Sequence, residues 1–449
     1  MSTQKNISLI GSGLVGSLLA IILAKRNHLV NIYERRPDVR KNTGVAGRSI
    51  NLALSDRGWK ALDAVGIGDE IRKIAIPMYG RYIHNMDGST AYQAYGKENQ
   101  AIYSVSRGGI NCKLMDLAEQ QSNVKIHFDE RCDIVDLKSN SAVFENTNTK
   151  KRNTIHSDLI ISSDGAFSAG RLAIQLNTDR FNYQQYYIDC GYKELTIPAG
   201  ENGSFLIEKN ALHIWPRGKF MMIALPNFDG SFTCTLFFPF EGEHSFEALK
   251  EKNAVLPFFT TYFADAVALM PTLIEDFMNN PTSSLVTVKC FPWTISDKLA
   301  LIGDAAHAIV PFFGQGMNCG FEDCTVFNQL LDEYNEDWEK VFKAYEISRK
   351  PDSDAIADLA IGNFVEMRDL VGQPKFLLQK KIEANFSTKH PEKWITAYSM
   401  VTFSPEIRYS DALRKGKEQQ AIMDEVMALP DIEKKWDSPE VEALILSKL

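Results

Sequence analysis

The run Asn6-Ile7-Ser8-Leu9-Ile10 passes at once into Gly11-Ser12-Gly13-Leu14-Val15-Gly16. The apolar stretch Leu18 to Ala24 follows, then a second run, Leu29 to Tyr33, closed by Glu34. This order reads as strand, Gly-rich turn, helix and strand, with an acid 18 residues beyond Gly16. Two strands joined through a helix are parallel, and a parallel sheet is covered on both faces, so the chain is bound to an α/β core. Gly11 makes the tight turn, Gly13 admits a pyrophosphate, Gly16 lets helix pack on strand, and Glu34 reaches ribose hydroxyls. The pattern marks a dinucleotide site and does not separate NAD from FAD.

Two further strand ends carry acids. Leu299-Ala300-Leu301-Ile302 runs into Gly303-Asp304-Ala305-Ala306-His307, and Leu159-Ile160-Ile161-Ser162-Ser163 into Asp164-Gly165, with Ser168 and Arg171 at capping and first-turn positions of a helix. Ligands of open α/β sheets sit at the carboxyl edge of the strands. Pro311-Phe312-Phe313-Gly314-Gln315-Gly316-Met317-Asn318 comes next, and Met317, Phe321, Cys324, Phe327 and Leu331 recur at helical spacing. A helix therefore starts near Gly316, and its N-terminus favours negative charge. An acid for polyol hydroxyls, a Gly-rich bed and positive potential are together what a flavin requires. Gly47-Arg48-Ser49-Ile50-Asn51-Leu52-Ala53 is too ordered to be filler and is expected to pass along it, although composition alone does not show this. Arg35-Arg36 either contacts phosphate or adenine or is solvated surface. His307 is read as structural, not as a base.

The rest of the chain changes character twice. Tyr79 to His84 alternates like a strand and turns through Asp87-Gly88 towards Tyr92 to Tyr95. Short strands are expected at Val124 to Phe128, Ile134 to Leu137 and Ala142 to Phe144. From Tyr187 to Phe238 several strands with Gly turns imply an antiparallel sheet, followed by a helical stretch from Phe246 to Phe277. Helices are expected over Trp59 to Ile74, Trp338 to Arg349, Ser353 to Val371 and Lys375 to Phe386, with a strand-like island at Tyr398 to Phe403. The fold class is α/β: a Rossmann-like, parallel-sheet FAD-binding domain over residues 1–72, 101–178 and 287–373. A mainly antiparallel β-sheet substrate domain spans 73–100 and 179–286, and a C-terminal helical region 374–449.

With 449 residues and a net charge of −8, nucleic acid is not an expected partner. Seven cysteines lack any Cys-x-x-Cys pair or metal-ligand spacing, so no metal is expected and a reducing, cytoplasmic setting is. No stretch of about 18 apolar residues exists, so no membrane anchor is expected.

Glycines 11, 13 and 16 with Glu34, Asp164-Gly165 with Arg171, and Gly303-Asp304 with Pro311 resemble the FAD-dependent aromatic hydroxylases of the p-hydroxybenzoate hydroxylase type. Gly47 to Ala53, His213-Ile214-Trp215-Pro216, Pro311 to Asn318 and Tyr398 to Phe403 narrow the resemblance to the kynurenine 3-monooxygenase family, from Ile7 to about Phe403. The resemblance implies non-covalent FAD, transient NADPH, O2, L-kynurenine as substrate and flavin hydroperoxide chemistry with no side chain as acid or base. It implies FAD contacts at Gly11, Gly13, Val15, Gly16, Glu34, Arg36, Arg48, Ala53, Arg107, Asp164, Asp304, Pro311, Gly316, Met317 and Asn318. The substrate's amino-acid end falls to Arg81, Tyr95, Tyr398 and Asn363, with Phe312 and Met367 beside it. Ser106-Arg107-Gly108-Gly109-Ile110 is looser than the family's Asn-Arg-x-x-Leu form. Membrane-bound eukaryotic members end in a hydrophobic anchor, which is not expected here. Rival readings are a related hydroxylase of another aromatic acid and a non-catalytic flavin-binding redox protein.

Overall fold

The computed structural model describes residues 3–41, 50–95, 99–370 and 373–449. Its central sheet has six strands in the order Thr294–Ile295, Leu299–Leu301, Leu159–Ser162, Asn6–Ile10, Leu29–Tyr33 and Val124–His127. All neighbours are parallel except the first pair. Ile7, Leu9, Ile32, Ile160, Ile161, Leu299 and Leu301 are buried, as strands covered on both faces demand. The helix Leu14–Lys25 crosses from the first strand to the second. Its middle, Leu18 to Leu23, is buried all round, because the sheet lies on one side and the helices Arg107–Glu119 and Gly316–Glu333 on the other.

Register then decides where the acids go. Ile10 pairs with Tyr33 and Ser162, and Ser162 with Leu301. Gly11, Glu34, Asp164 and Asp304 therefore leave the sheet at one edge and nearly one level. This is the Rossmann-like core expected from the sequence.

A second sheet has seven strands: Ser283–Phe291, Asn182–Ile197, Phe232–Pro239, Met221–Pro226, Ala211–Pro216, Gly80–His84 and Thr90–Ala94. It is antiparallel except where Gly80–His84 runs alongside Ala211–Pro216. Period-2 alternation splits its faces. Met222, Ala224, Leu236 and Phe238 join Phe220, Phe258, Phe259 and Phe263 under the helices Lys252–Tyr262, Ala264–Val267 and Leu273–Asn279. Met221, Ile223 and Phe237 on the opposite face pack towards Phe312 and Phe364. Two three-stranded sheets complete the β structure, one of them joining Asn51–Leu54, Ile102–Ser106 and Ile76–Met78. The helices Pro374–Lys389, Tyr409–Met427, Ile432–Lys435 and Pro439–Lys448 enclose a core of their own around Phe386, Trp394, Met423 and Ile445.

Several elements differ from the sequence reading. Tyr398 to Phe403 is a helix, Ala397–Thr402, because Thr396 Oγ1 caps it by accepting from Ser399 N at 3.3 Å and adjacent Met400 and Val401 are both buried. No break separates Arg349 from Ser353: one helix, Trp338–Val365, carries Pro351 inside it. Its buried residues on both sides of the proline hold it in one piece against the local cost. Trp59 to Ile74 is two helices, Asp56–Ala64 and Gly68–Arg72, parted at Gly66 with φ +73°. Phe246 to Phe277 holds three helices instead of one stretch. Strand Ser283–Phe291 crosses the expected boundary at 286/287, since it pairs along its length with Asn182–Ile197.

Candidate active site

At the shared edge, the three glycines do different things. Gly11 has φ +96° and its N–H donates to Tyr33 O at 2.8 Å. A Cβ on Gly16 would stand 2.2 Å from Gly11 O, so helix and turn touch there. A Cβ on Gly13 would meet nothing within 4 Å, so this residue opens on free space at the helix N-terminus, where backbone N–H groups attract anions. Glu34 is held by Ser12 N and Arg36 N, each at 3.0 Å. The Arg36 side chain is exposed. Val15 lies beneath the other loop: a Cβ on Gly303 would come 3.0 Å from its Cγ2.

Asp164 and Asp304 face this edge from the other two strands. Asp164 Oδ2 accepts from Ala169 N at 2.7 Å, while Oδ1 is buried with no partner. Burial raises its pKa above the usual carboxylate range. Asp304 is exposed as a residue; desolvation by the groups around its carboxylate raises its pKa, and the nearby Arg107 opposes the shift. Arg171 ties the two strand ends together, donating to Ala305 O at 2.8 Å and Ala166 O at 2.5 Å.

The next loop is fastened by Asn318, which is fully buried. Its Oδ1 accepts from Ser55 N at 2.9 Å, and its Nδ2 donates to Ala53 O at 2.8 Å and Gly314 O at 2.9 Å. Pro311 opens the turn Pro311–Phe313, and Gly314, with φ +66°, ends it against the Ala53 methyl. The Asn318 side chain is thus committed to the protein, and what it can offer a ligand is its main-chain amide. Gly316, Met317 and Asn318 form the first turn of the helix Gly316–Glu333, whose amides precede the bond from Cys319 N to Gln315 O at 2.8 Å. Arg48 lies outside the described residues.

Two residues at one hairpin and a third about 300 positions on meet beside this loop. Arg81 stands on the strand Gly80–His84, Tyr95 just after Thr90–Ala94, and Tyr398 on the helix Ala397–Thr402. The two phenol rings stack at 5.4 Å and 12°, and Arg81 Cζ lies 5.2 and 4.6 Å from the Tyr95 and Tyr398 ring centroids. Arg81 Nε and the Tyr95 hydroxyl are buried and have no hydrogen-bond partner among the described residues. Burial pushes the Tyr95 phenol well up, so it stays protonated and able to donate. A second group adjoins the first through the Phe312–Phe313 peptide. Phe313 stacks on Tyr398 at 5.7 Å, whereas Phe312 packs on Phe364 at 4.4 Å and Phe237 at 4.9 Å. Asn363 Nδ2 donates to Phe312 O at 2.5 Å and lies 3.4 Å from Met367 Sδ. The site therefore presents a cation and phenols at one end and an aromatic wall at the other.

Residues 5–360 match the FAD binding domain family. Kynurenine 3-monooxygenase of Flavobacterium johnsoniae is 52% identical over 449 residues, 100% of both chains. The enzyme of the same name from Sus scrofa is 44% identical over 94% of this chain and 88% of its own. The chain belongs to the kynurenine 3-monooxygenase family. Solved structures of 2-methyl-3-hydroxypyridine-5-carboxylic acid oxygenase share its fold, with a TM-score of 0.67 at 19% identity, over 83% of this chain and 95% of that one. As a member of the kynurenine 3-monooxygenase family it is an FAD-dependent monooxygenase, and the nucleotide edge fits that cofactor. Space at Gly13, the unpartnered Asp164 Oδ1 and the exposed Asp304 are what a dinucleotide with a ribityl chain would use.

Sequence spacing gave no sign of one buried cluster shared by this family member's two central helices. Asp323 accepts from His307 Nε2 at 2.6 Å, Arg349 Nε at 2.7 Å and Gly303 N at 3.1 Å. Desolvation opposes the charge on His307, yet Asp323 overrides it and holds the imidazole well above its usual range. His307, Cys319 and Asp323 place one potential metal ligand each within 4.8 Å of one another. The Arg349 guanidinium already supplies the positive charge there. These residues lie 4 to 42 positions apart in the chain, too irregularly for a motif to reveal them. The cluster fixes Gly303, and with it the turn that presents Asp304.

Proposed function

We propose that this chain hydroxylates L-kynurenine to 3-hydroxy-L-kynurenine with NADPH and O2, holding the substrate's carboxylate on Arg81. The observation that carries this reading is the buried, unpartnered pair of Arg81 Nε and Tyr95 hydroxyl, with Tyr398 closing the other side. Among the described residues no carboxylate pairs with this guanidinium, a buried cation without an anion is costly, and an α-carboxylate meets its planar fork in two parallel bonds. The Tyr95 and Tyr398 hydroxyls donate to the same oxygens. Asn363 Nδ2 is engaged by Phe312 O, so its proposed contact with the substrate's ammonium runs through Oδ1. Phe312 and Met367 line the ring end and keep water out.

Bound FAD would supply hydride acceptance from NADPH and insertion of one atom of O2 ortho to the substrate's amino group, the other atom leaving as water. The residues proposed to hold it are Gly11, Gly13, Val15, Gly16, Glu34, Arg36, Ala53, Arg107, Asp164, Asp304 and Pro311, with the amides of Gly316, Met317 and Asn318. Arg48 is proposed from sequence alone. The helix N-terminus at Gly316 lends positive potential to negative charge on the ring. No side chain of the chain is assigned as acid or base, since His307 is engaged by Asp323. All seven cysteines are thiols, which supports a reducing, cytoplasmic setting. Among the described residues no helix is long and apolar enough to cross a membrane.

The test is product analysis. FAD-loaded protein given NADPH, air and L-kynurenine should form 3-hydroxykynurenine, one per NADPH consumed when coupling is tight. NADPH oxidation that L-kynurenine does not alter, with hydrogen peroxide as the sole product, would point instead to a flavin protein acting on something else.

A further inference from the structure

Arg57, on the first turn of the helix Asp56–Ala64, is buried and takes no part in the contacts proposed above. Its guanidinium is surrounded by main-chain carbonyls of one segment. Nε donates to Val401 O at 2.8 Å, and Nη2 faces Met400 O at 3.2 Å, Ser404 O at 3.3 Å and Ile407 O. Nη1 pairs with Glu322 Oε1 at 2.5 Å, and Cζ lies 4.0 Å from the Tyr409 ring centroid. Met400 and Val401 lie in the last turn of Ala397–Thr402, where helix carbonyls lack intrahelical partners and a cation is favoured.

That helix carries Tyr398, and at 6 residues it is far too short to persist alone. Its place is set by what grips its ends. Thr396 caps the front, Arg57 gathers the back, and Tyr409 is anchored by its hydroxyl donating to Gln315 Oε1 at 2.9 Å. Arg57 also follows directly on Asn51–Leu54, the strand whose Ala53 is fastened to the flavin loop by Asn318. The phenol of Tyr398 is thereby registered on the same unit as the loop, while Arg81 and Tyr95 come from the antiparallel sheet.

We propose that Arg57 is a positioning residue for substrate binding: its grip on the carbonyls of Met400, Val401, Ser404 and Ile407 sets Tyr398 opposite Arg81 and Tyr95. This rests on the reading of Tyr398 as a substrate contact. The test is a double-mutant cycle on the FAD-loaded, full-length protein, with the L-kynurenine dissociation constant read from flavin absorbance. Tyr398→Phe should weaken binding about fivefold, the worth of one net hydrogen bond. Arg57→Lys should weaken it at least as much, because a point charge cannot span four carbonyls. Tyr398→Phe added to Arg57→Lys should then cost less than about twofold more, since the second change removes a contact already lost. In Arg57→Lys the KM for L-kynurenine should rise while kcat at saturation and FAD content hold, which a merely structural role would not produce. Wild-type affinity in Arg57→Lys, or additive losses in the double variant, overturns the proposal alone. Wild-type affinity in Tyr398→Phe overturns the substrate-contact reading and takes the proposal with it. If Arg57→Lys does not yield folded, FAD-loaded protein, Arg57→Gln offers two amide N–H donors and so serves at most two of the four carbonyls. It enters the same cycle with the same criteria.

Discussion

Arg81 keeps its charge at any pH a protein survives, and the fold leaves its Nε without an acceptor. The account gives that charge to the substrate. A charge-assisted hydrogen bond contributes about 1.5–3 kcal/mol net, and a buried charge stripped of its partner costs roughly 3–5 kcal/mol. Arg81→Ala should therefore weaken L-kynurenine binding by about two orders of magnitude or more, since each 1.4 kcal/mol is tenfold. Arg81→Lys should also bind poorly, because an ammonium cannot reproduce the fork. Tyr95→Phe removes one donor and should cost about 1 kcal/mol. Titration against flavin absorbance measures all three, and a near wild-type dissociation constant for FAD-loaded Arg81→Ala would refute the anchor. At this scale the sequence was only partly legible. Gly11, Gly16 and Glu34 could be read from spacing, because local backbone geometry dictates them. Arg81, Tyr95 and Tyr398 could not: Arg81 and Tyr95 sit at one hairpin while Tyr398 lies about 300 positions further on, and resemblance alone brought them together. Asn318 was read as a cofactor contact, but its side chain proves committed to Ser55, Ala53 and Gly314.

Elements were most legible where burial follows one period. The parallel strands of the central sheet were plain, since Ile7 to Ile10 or Leu159 to Ser162 can only be strands covered on both faces, whereas the two-residue edge strand Thr294–Ile295 was not. Tyr398 to Phe403 was misread as a strand because six residues do not distinguish period 2 from 3.6; tertiary packing around Met400 and Tyr409 decides it. Pro351 marked a boundary that packing on either side overrides. The strands Gly80–His84 and Ala211–Pro216 are tied to the helix Ala264–Val267 by a chain of imidazoles. His84 Nε2 meets His213 Nδ1 at 2.9 Å, and its Nδ1 meets Asp265 Oδ2 at 2.8 Å. The Glu208 carbonyl only accepts, so His213 Nε2 donates to it, at 2.8 Å, and Nδ1 receives the bond from His84. Desolvation by burial lowers the His213 pKa from 6.5 to about 4. Its folded value is thus below its unfolded one, so the unfolded chain binds the proton first and stability is lost as pH falls from 6.5 towards 4. The loss attributable to this residue is on the order of 3 kcal/mol. Urea unfolding across that window should show a shallower decline in His213→Gln than in wild type. Equal slopes would mean that His213 does not carry the effect.

Over the whole molecule, function follows from two sheets presenting their working residues to one place. Parallel register gathers Gly11, Glu34, Asp164 and Asp304 at a single edge, and this much was implied by three strand-end motifs read together. The second sheet supplies Arg81 and Tyr95, and the C-terminal helices return Tyr398 to them. The buried union of His307, Asp323 and Arg349, which steadies the Asp304 turn, was not legible, because ion pairs across helices leave no periodic trace. On the proposed reading, the molecule as a whole recognises a ring that carries an amino-acid tail. Comparing L-kynurenine with kynuramine, the same molecule without its carboxylate, tests this most directly. NADPH- and O2-dependent hydroxylation by the wild-type, FAD-loaded protein should show kcat/KM for kynuramine lower by about a hundredfold or more, from the loss of Arg81's partner. Equal kcat/KM for the two compounds would contradict the account.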